Sequence, residues 1–194
     1  MSASKSDIRR QCKAARLQMT DPTRRDADAA ITARLLELVS DLRPTTLCVF
    51  WPIERNGEID TRPFIHTMVR SGLVVSLPCV SPSGADSMHL RQFVGEADLK
   101  ENRWGAREPR EGRPIEPADV DLVVVPALAA DRHGVRVGYG RGYYDRFLKH
   151  VHGRSVSIVY SSCLLDRIHA EPHDVPVDYV ITELDTIVTV APAT

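Results

Sequence analysis

Val123 to Leu148 reads VVVPALAADRHGVRVGYGRGYYDRFL. Its opening, Val123 to Val125, is a short β-branched apolar run of the kind buried in a sheet. Its end, Tyr143 to about Val151, carries Phe147, Leu148 and Val151 on one side and predicts a helix. Between them Gly138, Gly140 and Gly142 stand at every second position. Glycine lets backbone come close to a ligand and takes φ angles that a side chain forbids. A glycine loop feeding a helix start offers unpaired N–H groups and a dipole contribution of ~0.3–1 kcal/mol, a combination suited to phosphate. Arg136, Arg141 and Arg146 add positive charge, and Asp145 stands where Mg²⁺ can be held against phosphates. A tight strand-to-helix connection with no ligand meets the same spacing. Neither G-x-x-x-x-G-K-[ST] nor G-x-G-x-x-G occurs, so the two standard nucleotide fingerprints do not apply.

Outward from this stretch, the totals describe an ordinary soluble globule. The 194 residues suffice for one domain with a real core, and 43% hydrophobic with 26% charged residues is the usual balance. A net charge of −1 exerts no global pull toward nucleic acid or membrane. Cys12, Cys48, Cys79 and Cys163 are scattered without a C-x-x-C, which argues against zinc and against a disulfide scaffold. Cys48 and Cys79 lie in apolar runs and read as buried thiols. No secretory signal and no run of about 20 apolar residues occurs, so a cytoplasmic protein without a membrane span is expected.

Residues 4–19 predict an amphipathic helical arm. Ile8, Cys12, Ala15 and Met19 form its apolar stripe, with Lys5, Arg9, Lys13 and Arg16 on the stripe beside it. The cations either face a cleft or form a solvated basic face. Asp21 and Pro22 start a second helix, with Asp21 as its cap and Ile31, Leu35 and Leu38 on its buried side. Thr45 to Trp51 predicts a strand, Thr61 caps a helix running to Gly72, and Leu73 to Leu77 predicts a parallel strand. Glu58 and Asp60 then lie beyond the C-terminal end of a strand, where open α/β sheets bind ligands. Two such carboxylates can accept hydrogen bonds from an amino-pyrimidine ring, hold a metal, or simply serve a turn.

A polar turn is expected at Ser81 to Ser87, and an antiparallel, near-edge strand at Met88 to Val94. Residues 95–120 read as a long surface loop around Trp104, which either covers a site or packs on the core. Ser155 to Ser161, Asp178 to Thr182 and Ile187 to Val190 predict further strands. His169 and His173 have the spacing of a metal pair on a helix, but Pro172 argues against a helix there. The fold class is therefore α/β: one domain, a mostly parallel or mixed sheet flanked by helices, and the N-terminal arm.

Several segments together resemble the 5-formyltetrahydrofolate cyclo-ligase family across nearly the whole chain. They are Lys5-x-x-x-Arg9, Gly57-Glu58-Ile59-Asp60-Thr61-Arg62-Pro63, Trp104-Gly105-x-x-Glu108-Pro109, Asp121 to Pro126, Asp131 to Asp145, and Val177-Asp178 with Ile181-Thr182-Glu183. Gly138-Tyr139-Gly140-x-Gly142-Tyr143-Tyr144-Asp145 is the most specific of these. The resemblance implies ATP-dependent closure of 5-formyltetrahydrofolate to 5,10-methenyltetrahydrofolate, with Mg²⁺. It implies ATP contacts from Lys5, Ser6, Asp7, Ile8 and Arg9, and from Arg136, Val137, Gly138, Tyr139, Gly140, Arg141, Gly142, Tyr143 and Tyr144. Folate contacts are implied for Arg55, Asp60 and residues 139–143, with Arg141 and Tyr143 at the reacting atoms and Asp145 and Asp178 as metal ligands. Arg141 stands where relatives carry glycine or lysine, and Cys12 where leucine is more usual.

The implied partners are a reduced folate and ATP, with no nucleic acid or membrane, on a monomer. This reading requires residues 138–142 to share a cavity with Lys5, Asp60 and Asp178. It also expects Asp145→Asn to stop turnover while leaving the melting temperature nearly unchanged. A non-catalytic folate or nucleotide binder and a phosphosugar or CoA-ester enzyme are the competing readings.

Overall fold

The structure is a computed structural model and describes residues 4–80 and 88–189. The turn expected at Ser81 to Ser87 and the Val190 end of the last strand lie outside the described residues. The chain runs α1 (Lys5–Gln18), α2 (Asp21–Leu42), β1 (Thr46–Cys48), α3 (Arg62–Arg70), β2 (Val74–Val80) and β3 (Met88–Gln92). Next come β4 (Leu99–Glu101), β5 (Arg107–Pro109), β6 (Pro114–Ile115), β7 (Leu122–Pro126), β8 (Ala129–Asp131) and β9 (Arg136–Val137). It closes with α4 (Tyr143–Leu148), β10 (Arg154–Ile158), β11 (Leu164–Leu165), β12 (Tyr179–Ile181) and β13 (Thr186–Val188).

Eight strands form one mixed sheet in the order β13-β12-β10-β7-β1-β2-β3-β6. The centre, β12-β10-β7-β1-β2, is parallel, while β13, β3 and β6 are antiparallel edges. Period-two alternation explains the two buried faces. Leu47, Leu122, Val124, Val156 and Ile158 pack with Ile31, Leu35, Phe64 and Ile65 of α2 and α3. Their neighbours Cys48, Val123 and Val125 pack on the other side with Phe147 and Leu148 of α4. Both faces are covered, so the central strands read as continuous apolar runs. A smaller sheet, β11-β8-β9, packs against Ile8 and Cys12 of α1.

Several local expectations change. The cap of α2 is Thr20, whose hydroxyl accepts from Thr23 N–H, not Asp21. Thr61 precedes α3 without a side-chain cap; its hydroxyl donates to the Phe50 carbonyl at 2.6 Å instead. Residues 95–120 are not one loop but hold the β4–β5 hairpin and β6. Arg16 leaves the cationic stripe: it is 2% exposed and donates to the carbonyls of Ala127 and Leu128. Four backbone-directed donors, two from Arg16 and two from Arg24 to the Arg16 and Gly57 carbonyls, bind α1 to the body.

Two aspartates close the N-terminal ends of the parallel strands. Asp121, just before β7, accepts from Thr45 N–H (2.7 Å), Thr45 Oγ1 (2.8 Å) and Thr46 N–H (3.0 Å), joining it to β1. Asp178, just before β12, accepts from Ser155 N–H and Oγ, both at 2.8 Å, joining it to β10. Burial alone raises the Asp121 carboxyl, but the hydrogen bonds from Thr45 and Thr46 outweigh it and hold it below the usual range. A depressed carboxyl contributes stability above the unfolded value of about 3.9 and loses it as pH falls through the folded value. Asp121→Ala is therefore expected to cost about 1–2 kcal/mol, or roughly 3–6 °C in Tm. Thermal melts should give a constant gap between wild type and variant from neutral pH to about pH 5, closing at lower pH.

Candidate active site

A cavity of about 510 Å³ opens at the C-terminal ends of the parallel strands. Phe50 and Trp51 after β1, Pro78 and Val80 of β2 and Pro126 of β7 form its floor. This is the edge at which open α/β sheets receive ligands. The glycine loop, Gly138 to Gly142, forms one wall, and Lys5 and Arg9 of α1 reach the same space.

The loop's shape comes from its glycines. Gly140 and Gly142 have φ of 93° and 65°, values that residues with a Cβ rarely adopt. Gly142 leads directly into α4, whose first turn carries no side-chain cap. α4 is only six residues long, so its dipole contributes little. The backbone matters more: none of the five N–H groups of residues 138–142 donates to another described residue. Arg9 Nε donates to the Gly138 carbonyl at 2.9 Å, fixing the loop against α1.

One buried ion pair holds the loop's ends. Arg136, 8% exposed, donates to Asp145 Oδ1 at 2.8 Å and to the Val175 carbonyl. Asp145 Oδ1 also accepts from Val175 N–H at 3.2 Å, while its Oδ2 has no hydrogen-bond partner among the described residues. Burial pushes the Arg136 guanidinium down against the opposing pull of Asp145 and Asp174.

Lys5 Nζ lies 2.6 Å from Glu171 Oε2 and 2.7 Å from Asp174 Oδ2. Desolvation opposes its charge, but hydrogen bonds and attraction from Asp174 and Glu171 outweigh it and raise its pKa. Glu171, His173 and Asp174 offer ligand atoms within 4.8 Å of one another, and all three line the cavity. Across the cavity, Glu58 is 8% exposed. Its Oε1 accepts from Tyr139 Oη at 2.6 Å and its Oε2 from Ile53 N–H at 2.8 Å. Burial pushes this carboxyl up against those two hydrogen bonds. Tyr144 Oη is buried without a protein partner, an orphaned polar atom in the cavity lining.

The expected site residues thus divide. Lys5, Arg9, Arg136, Gly138, Tyr139, Gly140, Arg141, Gly142, Tyr143, Tyr144 and Asp145 come together around the cavity. Ser6 is exposed, Asp7 pairs with Arg10, and Ile8 and Val137 belong to the core behind the loop. Arg55 stands at the mouth, donating to the Trp104 carbonyl.

Asp60 and Asp178 are corrections. Asp60 is turned away and holds Arg62 through both oxygens, at 2.7 and 2.8 Å. Glu58, two residues earlier, is the acid of that segment in the cavity. Asp178 is the strand clamp at the opposite end of the sheet, bound to Ser155 and Arg154. Asp174, four residues earlier, lines the cavity beside Val175, which binds Asp145. A sequence signal existed for both. Asp178 directly precedes a predicted strand, which puts it at the N-terminal edge, away from the ligand edge.

Comparison with known proteins agrees with this arrangement. The sequence matches the 5-formyltetrahydrofolate cyclo-ligase family over residues 1–183. It is 36% identical over 146 residues to the 5-formyltetrahydrofolate cyclo-ligase of Mycolicibacterium smegmatis, covering 71% of this chain and 73% of that one. It is 31% identical over 142 residues to the Escherichia coli (strain K12) protein of the same name, covering 71% and 77%. The solved structure of Aquifex aeolicus 5,10-methenyltetrahydrofolate synthetase superposes with a TM-score of 0.84 at 29% identity, covering 98% of this chain and 95% of that one.

The Arg136–Asp145 pair sets an expectation that the sequence did not. Removing one partner of a buried pair leaves the other charge uncompensated, a loss of about 3 kcal/mol. Asp145→Asn is therefore expected to lower Tm by roughly 5–10 °C as well as turnover. Calorimetric melts check this; a Tm within a degree of wild type removes the structural role.

Proposed function

The chain belongs to the 5-formyltetrahydrofolate cyclo-ligase family, and we propose that the cavity performs that family's reaction. It converts 5-formyltetrahydrofolate to 5,10-methenyltetrahydrofolate and consumes ATP. The observation that carries the reading is the meeting, in one cavity, of an amide-lined glycine loop with cations and a buried acid–tyrosine pair. The loop suits phosphate. The acid suits the amino-pyrimidine edge of a reduced folate.

The formyl oxygen is a poor leaving group until it is phosphorylated. It attacks the terminal phosphoryl of ATP, the bond to ADP breaks, and the neighbouring anilino nitrogen attacks the activated carbon. That nitrogen loses its proton, and phosphate departs with the former formyl oxygen. The residues' tasks are positioning and charge stabilisation. The free amides of residues 138–142 receive phosphate oxygens, and Arg9 fixes the loop. Lys5 leaves Glu171 and Asp174 to neutralise a phosphate. Glu58 orients the pterin ring by accepting from its amino group, with Tyr139 and Tyr144 as hydroxyl partners. Arg141 and Tyr143, both on the cavity wall, stand at the reacting atoms.

Asp145 and Asp174 are the residues to hold magnesium. Both present carboxylate oxygens to the cavity, and Lys5 Nζ already sits as a cation on Asp174. Magnesium, when bound, bridges phosphate oxygens and spreads the charge of the transferring phosphoryl. No described helix is long and apolar enough to cross a membrane. A cytoplasmic monomer acting on these small molecules completes the reading.

Incubation with 5-formyltetrahydrofolate, ATP and Mg²⁺ is expected to raise the methenyl-folate absorbance; folded protein giving no product above a no-ATP control overturns the reading. Asp174→Asn is expected to raise the half-saturating magnesium concentration about tenfold, one contact of ~1.4 kcal/mol. Asp178→Asn should leave it unchanged and lower Tm; the reverse pattern returns Asp178 to the metal site. Glu58 accepts only when ionised, so folate KM should rise as pH falls through its raised pKa. In Glu58→Gln the folate KM should be high throughout, with that pH dependence gone, while the ATP KM holds.

A further inference from the structure

The cavity's mouth carries four arginines with no acid to answer them. Between β4 and β5 the chain turns tightly: Asn102 Oδ1 accepts from Trp104 N–H at 2.9 Å and Ala106 N–H at 3.1 Å. This places Trp104 at the rim. The Arg103 guanidinium lies 4.1 Å from the Trp104 ring centroid, and that of Arg141 5.4 Å from the same centroid. Arg107 lies 6.0 Å from the ring of Trp51. Arg55 donates to the Trp104 carbonyl and packs on Gly105, where a Cβ would come within 2.4 Å of its Nη2.

None of these guanidiniums forms an ion pair with a described acid. The acids nearby are engaged elsewhere. Glu108 Oε1 accepts from Val80 N–H and Asn102 Nδ2, Glu54 pairs with Arg62, and Glu58 with Tyr139. Glu101 stands opposite Arg107 in the β4–β5 pairing without forming an ion pair. Cation–π contacts of about 0.5–1 kcal/mol each hold the arginines in place but leave their charge uncancelled. The phosphate-binding features, Lys5, Arg9 and the loop amides, are a separate group of residues.

We propose that Arg103 and Arg107, with Arg55, form a subsite for the carboxylates of an oligo-γ-glutamyl tail on the folate. The inference rests on the cavity being the folate site. A reduced folate ends in a glutamyl group, and each further γ-linked glutamate adds one carboxylate. Guanidinium binds carboxylate by a fork of parallel donors. Exposed pairs of this kind add affinity in small steps and weaken with salt.

The test uses the full chain and its double variant Arg103→Gln/Arg107→Gln, both exposed positions. KM and kcat are measured with mono- and triglutamyl 5-formyltetrahydrofolate at low and high salt. In wild type the triglutamyl KM is expected to be about fivefold lower than the monoglutamyl KM, with kcat unchanged, and the advantage should shrink in salt. The double variant should lose the advantage while keeping monoglutamyl kcat and ATP KM. Arg103→Lys/Arg107→Lys should keep most of it. A wild-type KM indifferent to tail length, or an advantage intact in the glutamine variant, overturns the subsite. If wild type turns over neither folate, the proposed function fails instead. Titration calorimetry of both folates against wild type and double variant then decides the subsite by the same comparison.

Discussion

The Arg136–Asp145 ion pair is the constraint on which the site depends. Arg136 enters the glycine loop and Asp145 leaves it, so their contact closes the loop into a fixed span. The same guanidinium binds the Val175 carbonyl, and the Val175 N–H binds Asp145. Three separate segments, β9, α4 and the chain around residue 174, are thereby joined at one buried charge. The loop's amides remain free because neither helix nor strand claims them. A free backbone donor in a compact protein has a cost, which water or a ligand must offset.

The sheet was legible because its strands obey simple rules. Val123 to Val125 is apolar at every position, as a strand covered on both faces must be. The α3 crossover between β1 and β2 followed from strand–helix–strand order. Short elements were not legible. β8 and β9 pair over only two positions, and α1 supplies much of what buries them. No local pattern announces a contact made by a distant helix. Likewise Arg16 sits at helical spacing from Arg9 and Lys13, yet the neighbouring turn of α1 points into carbonyls of Ala127 and Leu128.

The two acids misassigned to the cavity fail for related reasons. Asp60 and Glu58 differ by two residues in an irregular segment, where side-chain direction has no fixed period. Asp178 and Asp174 differ by four, and both suit a metal by chemistry. What separates them is position along the sheet: Asp178 begins β12, so it closes the N-terminal edge with Ser155 much as Asp121 does with Thr45. The ends of a parallel sheet are not equivalent, and that rule sorts carboxylates that composition cannot.

The charges around the cavity follow the same logic of placement. Acids inside it are each held by a specific donor: Glu58 by Tyr139, Asp145 by Arg136, Asp174 by Lys5. Desolvation works against each of these charges, so removing a donor without supplying another leaves an expensive group behind. Lys5 and Tyr139 are also the two donors that substrates must share or displace. Their bonds to Asp174 and Glu58 keep the empty site electrically balanced, and they set a threshold that an incoming ligand must exceed. Phosphate oxygens can take over Lys5, and an amino-pyrimidine can share Glu58, because each offers the missing half of a charge-assisted hydrogen bond. Arg55, Arg103, Arg107 and Arg141 have no such placeholder, so the mouth stays positive while the interior is neutralised. A field of that form draws in an anionic molecule and leaves its orientation to the paired groups within.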